Sequence, residues 1–235
     1  MILLEPADFI SEDEVRLSDR RFEHIRDIHR AQVSTELQVG LLQGDMGLGL
    51  ITKLGSRSVE MKVVLNQSPP QELPVTLLLA LPRPKMLKRV LQSITTLGVK
   101  RIYLINSHRV EKSFWSSPLL QPSELQKQLI LGLEQAQDTR LPQVHLRKLF
   151  KPFVEDELPT LIKGSQALVA HPDSDHEDLL VSGQTTTLAV GPEGGFIHYE
   201  VEKLLACGFR SFSLGPRILR VETAVPVLLS KLLPL

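Results

Sequence analysis

The sequence predicts an α/β domain built on a mostly parallel sheet, preceded by a smaller β-rich domain. Three observations carry this. First, a continuous apolar run, Val75–Leu81, precedes a helical pattern and a second apolar run, Ile102–Ile105; that order is a strand–helix–strand crossover, which makes parallel neighbours. Second, two β-prone runs near the end, Thr186–Val190 and Ser211–Leu214, flank another helical pattern, and each leads into Gly-Pro. Third, short β-compatible segments separated by turn residues fill residues 2–65, and the polar, proline-rich stretch Asn66–Pro74 divides them from the α/β part.

Composition sets the outer bounds. The chain has 235 residues, 42% hydrophobic and 23% charged, with net charge zero. These values fit one large or two modest globular domains. Residues 1–70 carry 8 Lys/Arg against 11 Asp/Glu, and the remainder 19 against 16. Any nucleic-acid contact must therefore use a local patch. The single cysteine, Cys207, excludes an internal disulfide framework and reads as a small core residue of an apolar helix. No apolar run reaches the roughly 18–20 residues of a membrane span. The start, MILLEPADFISEDE, lacks a basic segment before its short apolar run, so a cytoplasmic protein is expected.

In the β-rich part, strands are expected over Val39–Leu42, Gly49–Leu54 and Val59–Leu65. Before them, Ser18 is the expected cap of a helix starting at Asp19, with Phe22, Ile25 and Ile28 facing inward. Arg16, Arg20, Arg21, Arg26 and Arg30 outnumber the acids around them. They are either a phosphate-gripping surface or a solvated face of mixed ion pairs.

In the α/β part, Met86, Leu87, Val90, Leu91, Ile94 and Leu97 share a helical face that stops at Gly98. Arg83, Lys85, Lys88 and Arg89 crowd the start of that helix, where cations are unfavourable; the placement points to an anionic partner or to solvated charge. A long loop over Ser107–Ser123 holds Arg109 and Trp115, with Trp115 either stacking on a base or anchoring the loop. A helix over Glu124–Gln137 and strands over Val144–Leu149 and Ala167–Ala170 come next, the last ending at His171-Pro172. Pro159–Lys163 reads as helix and Asp173–Gln184 as an acidic surface loop. The final helix is expected to be capped by Thr223, with Pro226 in its first turn.

The Gly-Pro loops leave the carboxyl ends of parallel strands, the edge where open α/β sheets bind ligands. Glycine lets a ligand approach bare backbone, and proline holds the chain extended. Neither GxxxxGK[ST] nor GxGxxG is present. The loops suit a neutral or cationic cofactor with an adenine read by main chain, or are structural turns.

AVGPEGGF, then a helix ending in GF, then SLGPRILRVETA closely resembles the C-terminal signature of the bacterial ribosomal RNA small-subunit methyltransferase E family, which belongs to the SPOUT (trefoil-knotted) methyltransferases. Glu134-Gln135 with Arg140 and Pro142, and Lys85 in the first loop, are similar to the family pattern. The family's Thr-Glu-Leu-Gly reads Thr95-Thr96-Leu97-Gly98 here, without the glutamate. The resemblance implies a knotted methyltransferase domain over residues 70–235 behind a PUA-like β-barrel RNA-binding domain over 1–69. It implies S-adenosyl-L-methionine as cofactor, no metal, a homodimer, and methylation of uracil N3 in 16S rRNA on the 30S subunit. His171, Pro172, Gly191, Pro192, Glu193, Gly194, Gly195, Leu214, Gly215, Pro216, Ile218 and Leu219 would hold the cofactor. Arg220 and Glu222 would be catalytic; Arg20, Arg21, Arg26, Arg30, Lys85, Arg109 and Arg140 would meet RNA. Action on another RNA such as tRNA, or a noncatalytic RNA-binding assembly role, are the alternatives.

Overall fold

The computed structural model describes residues 1–172, 174 and 183–232. Most of the expected acidic loop 173–184 lies outside them. The chain divides into two compact units, residues 1–70 with 133–141, and residues 71–132 with 142–235. The first break falls inside the proline-rich stretch. The return of 133–141 to the first unit is absent from a simple division at residue 70. Its cause is local bonding: the Thr139 hydroxyl donates to the Gly44 carbonyl, the Gln43 N–H donates to the Thr139 carbonyl at 2.8 Å, and Arg20 pairs with Glu134 at 3.0 Å.

The first unit is a five-stranded mixed sheet in the order β1-β3-β4-β5-β2, with β1 at Ile2–Leu4, β2 at Glu14–Leu17, β3 at Glu36–Leu41, β4 at Met46–Leu54 and β5 at Val59–Gln67. Only β1 and β3 pair in parallel; the other pairings are antiparallel. Strict alternation sends Val59, Met61 and Val63 of β5 into the core with Leu4, Leu17, Val39 and Ile51. Helix α1 (Arg20–Asp27) covers that core with Phe22 and Ile25. Its cap is Asp19, whose carboxylate accepts the Arg21 N–H, and not Ser18. The helix ends at Asp27, so Ile28 leaves the inward face and is 70% exposed, against expectation.

The second unit is a six-stranded, all-parallel sheet in the order β11-β9-β10-β6-β7-β8. Its strands are β6 (Leu73–Ala80), β7 (Val99–Ile105), β8 (Gln143–Arg147), β9 (Gln166–Ala170), β10 (Thr186–Val190) and β11 (Arg210–Phe212). Helix α2 (Pro84–Thr96) joins β6 to β7 and buries Leu87, Val90, Leu91 and Ile94. Helix α3 (Pro122–Ala136) precedes β8, and from Leu133 its residues group with the first unit. A broken helical stretch comes after β8: α4 (Phe150–Pro152), a π-turn (Phe153–Glu157) and α5 (Leu158–Leu161). Helix α6 (His198–Ala206) joins β10 to β11, and α7 (Val221–Ser230) packs on α2.

The late strand β10 lies between β6 and β9, buried along its whole length. Register aligns Val190 with both Leu79 and Ala170, and Ala170 with Phe212. Four strand ends therefore finish at one edge. Strand β11 stops at Phe212, so Ser213 and Leu214 belong to the loop after it, not to the strand as expected. Helix α7 begins at Val221 with Arg220 as its cap, because the Thr223 and Ala224 N–H groups already donate to the Arg220 carbonyl at 2.9 and 2.7 Å. Thr223 is thus inside the first turn, and Pro226 is interior to the helix. Among the described residues, no helix is long and apolar enough to cross a membrane.

Candidate active site

The aligned strand ends open into a cleft lined by the expected loops. Val190, Ala170 and Phe212 form its base; Gly191–Glu193, Gly195, His171-Pro172, Leu214, Gly215, Ile218 and Leu219 form its rim. It encloses about 650 Å³ of empty space, open solvent included. The loop after β10 is a tight turn: the Gly195 N–H donates to the Pro192 carbonyl at 2.8 Å, and Gly195 has φ +73°. A methyl group on Gly191 would lie 2.9 Å from the Phe196 nitrogen, so the turn closes only around glycine. The other loop differs. Gly215 has φ +113°, its N–H reaches the Ser213 hydroxyl at 3.3 Å, and a methyl group there would meet nothing within 4 Å. That bare backbone faces open space at the cleft rim, where a flat heteroaromatic group can lie against main chain and apolar side chains.

Neighbouring strands tie the loops together. The His171 N–H donates to the Phe212 carbonyl at 2.9 Å, joining the β9 and β11 exits. Glu193 Oε1 accepts the Arg83 N–H at 3.1 Å, joining the glycine turn to the start of α2. Arg109 Nη1 donates to the Gly194 carbonyl, so this arginine supports the turn. The Trp115 indole N–H donates to Asn106 Oδ1 at 2.9 Å, which makes Trp115 an anchor for its own loop.

A second cleft shares Glu193, Ile218 and Leu219 with the first and adds Arg83, Lys85, Met86, Arg220 and Glu222. Arg220 is exposed and Glu222 half-buried. The two residues expected to do chemistry therefore lie together with Lys85, beside the glycine-lined cleft. Pro216 is exposed and does not line the first cleft; Gly194 lines a third opening, with Arg109 and His171. Ala224 and Leu228 also line the first cleft; from sequence Leu228 reads only as part of the apolar face of the last helix, and neither is expected at the site. Their i,i+4 spacing on an apolar helix is the signal that could have found them.

The arginines of α1 are a different matter. Arg21 is 8% exposed, and its guanidinium donates to Asp8, Asp19 and the Leu3 carbonyl. It is a structural ion-pair centre and not a surface for RNA, which corrects the expectation. Burial alone would lower the Arg21 pKa, but Asp8 and Asp19 outweigh it and raise it. Burial likewise pushes the Asp19 carboxyl up, and Arg21 overrides it and holds it below the usual range. Arg20 pairs with Glu134, whose side chain is mostly buried, and Arg26 pairs with Asp27 on the surface. Arg30 is exposed with φ +49°, and Arg140 is exposed in the returning segment. Among the described residues, no three His, Cys, Asp or Glu side chains gather as a metal site.

The chain is 28% identical over 211 residues to ribosomal RNA small subunit methyltransferase E of Treponema pallidum, covering 88% of this chain and 79% of that protein. It is 26% identical over 243 residues to the protein of the same name from Synechocystis, covering 98% and 76%. A crystal structure of ribosomal RNA small subunit methyltransferase E from Neisseria gonorrhoeae bound to S-adenosyl methionine superposes with a TM-score of 0.74 over 98% of this chain and 95% of that one, at 20% identity, a likeness of fold. The family model for the RNA methyltransferase domain matches residues 69–233, a span that holds both Gly-Pro loops and every strand of the parallel sheet. This chain belongs to the RNA methyltransferase domain family.

Proposed function

We propose that the protein methylates N3 of a uridine in 16S rRNA, on the 30S subunit, with S-adenosyl-L-methionine as donor. One observation carries this reading: the glycine-lined cleft adjoins a second cleft that holds Arg220, Glu222 and Lys85. The activity and the cofactor named for the relatives agree with it. The residues present fit the cofactor. Val190, Leu214, Leu219 and Leu228 give an apolar slot, and Gly215 leaves main chain open at its rim.

The cofactor supplies an electrophilic methyl group on a sulfonium. The chain supplies placement, which can account for much of the acceleration. Uracil N3 carries a proton that must leave as the N–CH₃ bond forms. Glu222 receives it, and Arg220 balances the negative charge that develops on the ring. N3 lies on the pairing edge, so the target base is unpaired or flipped out. Lys85 meets a flanking phosphate. We read the α/β unit as a SPOUT domain with its trefoil knot, the first unit as a PUA-like RNA-binding domain, and the working form as a homodimer in the bacterial cytoplasm.

The test is to incubate the protein with labelled S-adenosyl-L-methionine and 30S particles, naked 16S rRNA or tRNA, and to identify the product nucleoside by mass. N3-methyluridine from 30S particles is expected. Label in tRNA alone would keep the methyltransferase and discard the ribosomal substrate. Failure to bind the cofactor would leave the noncatalytic RNA-binding reading.

A further inference from the structure

Glu200 takes no part in the chemistry above, yet it is the acid on which the glycine turn rests. It sits in the first turn of α6 and is 3% exposed. Its Oε1 accepts the His108 N–H at 2.7 Å; its Oε2 accepts the Ile197 N–H at 3.0 Å and the Ser107 hydroxyl at 3.2 Å. A helix cap needs only the bond to Ile197. The other two reach across to the loop after β7. Burying an acid is costly unless donors satisfy it, so three donors converging on one carboxylate fix both segments in a single arrangement.

The residue after His108 is Arg109. Its guanidinium donates to the Gly194 carbonyl, and its stem lies so close that a methyl group on Gly194 would come within 2.9 Å of Arg109 Cδ. Glu200 therefore holds the glycine turn from two sides: directly at Ile197, and through residues 107–109 at Gly194.

We propose that Glu200 is a positioning residue for cofactor binding, acting through the 107–109 segment and Arg109 to keep the glycine turn in its binding shape. This rests on reading the first cleft as the S-adenosyl-L-methionine site. Since Glu200 lies outside the acceptor cleft, its loss should weaken cofactor affinity and spare the chemical step.

The test measures binding of S-adenosyl-L-homocysteine by calorimetry, and kcat and KM for S-adenosyl-L-methionine on 30S particles, with the full chain. Glu200→Gln is expected to raise Kd and KM about 10-fold with kcat changed less than about 2-fold. Arg109→Ala is expected to raise Kd by a similar factor. The double variant should stay near about 10-fold, well short of the roughly 100-fold product, because both act through one contact. Unchanged Kd in Glu200→Gln, a multiplicative double variant, or a loss confined to kcat would overturn the proposal. Should Glu200→Gln fail to fold, Ser107→Ala removes one donor and leaves the acid in place. It is expected to weaken binding about 3-fold in a chain that still folds at a somewhat lower melting temperature, and wild-type affinity there would also overturn the role. Wild-type protein that binds neither cofactor nor product would bring down the reading of the cleft itself, an outcome distinct from a wild type that binds and a Glu200→Gln that binds equally.

Discussion

Arginine does opposite work in the two units. In the first, Arg21 is buried and its guanidinium is taken up by Asp8, Asp19 and a backbone carbonyl. In the second, Arg220 is exposed at the mouth of a cleft with Lys85 and Glu222 beside it. A saturated arginine stabilises a fold and cannot also recognise a ligand; an exposed one at a cleft is held ready for charge that arrives later. Counting arginines in the sequence cannot separate these uses, because what differs is the number of acceptors the fold brings to each.

The strongest way to break this contrast is Arg220→Ala. It should lower kcat on 30S particles about 1,000-fold, with circular dichroism unchanged. Activity within tenfold of wild type would remove Arg220 from the chemistry. Nearly as large in free energy, and opposite in kind, is Arg21→Met. It strands the mostly buried Asp8 carboxylate, takes the partner from the exposed Asp19, and should destabilise the first unit by on the order of 2–4 kcal/mol in chemical denaturation. A loss below about 1 kcal/mol would show that the Arg21 cluster contributes only what a surface pair does.

Gly191→Ala sharpens the contrast from the cofactor side. Its methyl group meets the Phe196 nitrogen at 2.9 Å, so the turn must open. Calorimetry should show cofactor affinity down about 10-fold, with an overpacking cost of about 1–3 kcal/mol in stability. Acid should act on the first unit in a defined direction. The Asp19 carboxyl is held below its unfolded value, so its stabilisation is fully present above the ordinary carboxylate range and is lost as pH falls through the folded pKa, below about 4. Denaturation midpoints of the chain measured from pH 6 down to 3 should fall over that window, and Arg21→Met should flatten the fall. The smallest effect belongs to Arg26→Ala. Arg26 pairs with its neighbour Asp27 on the surface and lies 5.1 Å over the Phe22 ring, and its removal should lower the melting temperature by no more than about 2 °C. Any change should show in filter binding to 16S rRNA.

The sequence made the parallel sheet and its Gly-Pro loops legible because long buried strands and glycine punctuation are local signals. Strands β1 and β2 passed unseen. They are three and four residues long and are defined by partners far along the chain. The burial of Arg21 was readable in principle: it stands four residues before Ile25, on the same helical face. Ile28 misled for the complementary reason, since periodicity continues past the residue where a helix stops. At the site, the loop glycines and the Arg220–Glu222 pair were visible as motifs. Glu200 read as an ordinary first-turn acid, because Ser107 and His108 reach it from about 90 residues away.

The position of β10 has a consequence for how the molecule is made. Val75 pairs with Thr186, about 110 residues later, so the centre of the sheet stays open while everything between is synthesised. On a ribosome delivering roughly 5–20 residues each second, β6 and β7 wait seconds for the strand that must enter beside them. Long-range pairing of this kind is slow and leaves apolar edges unprotected in the interval. The glycine-lined cleft, formed where β10 meets β9 and β11, is therefore among the last features to appear. The enzyme acquires its site only when the chain is nearly complete.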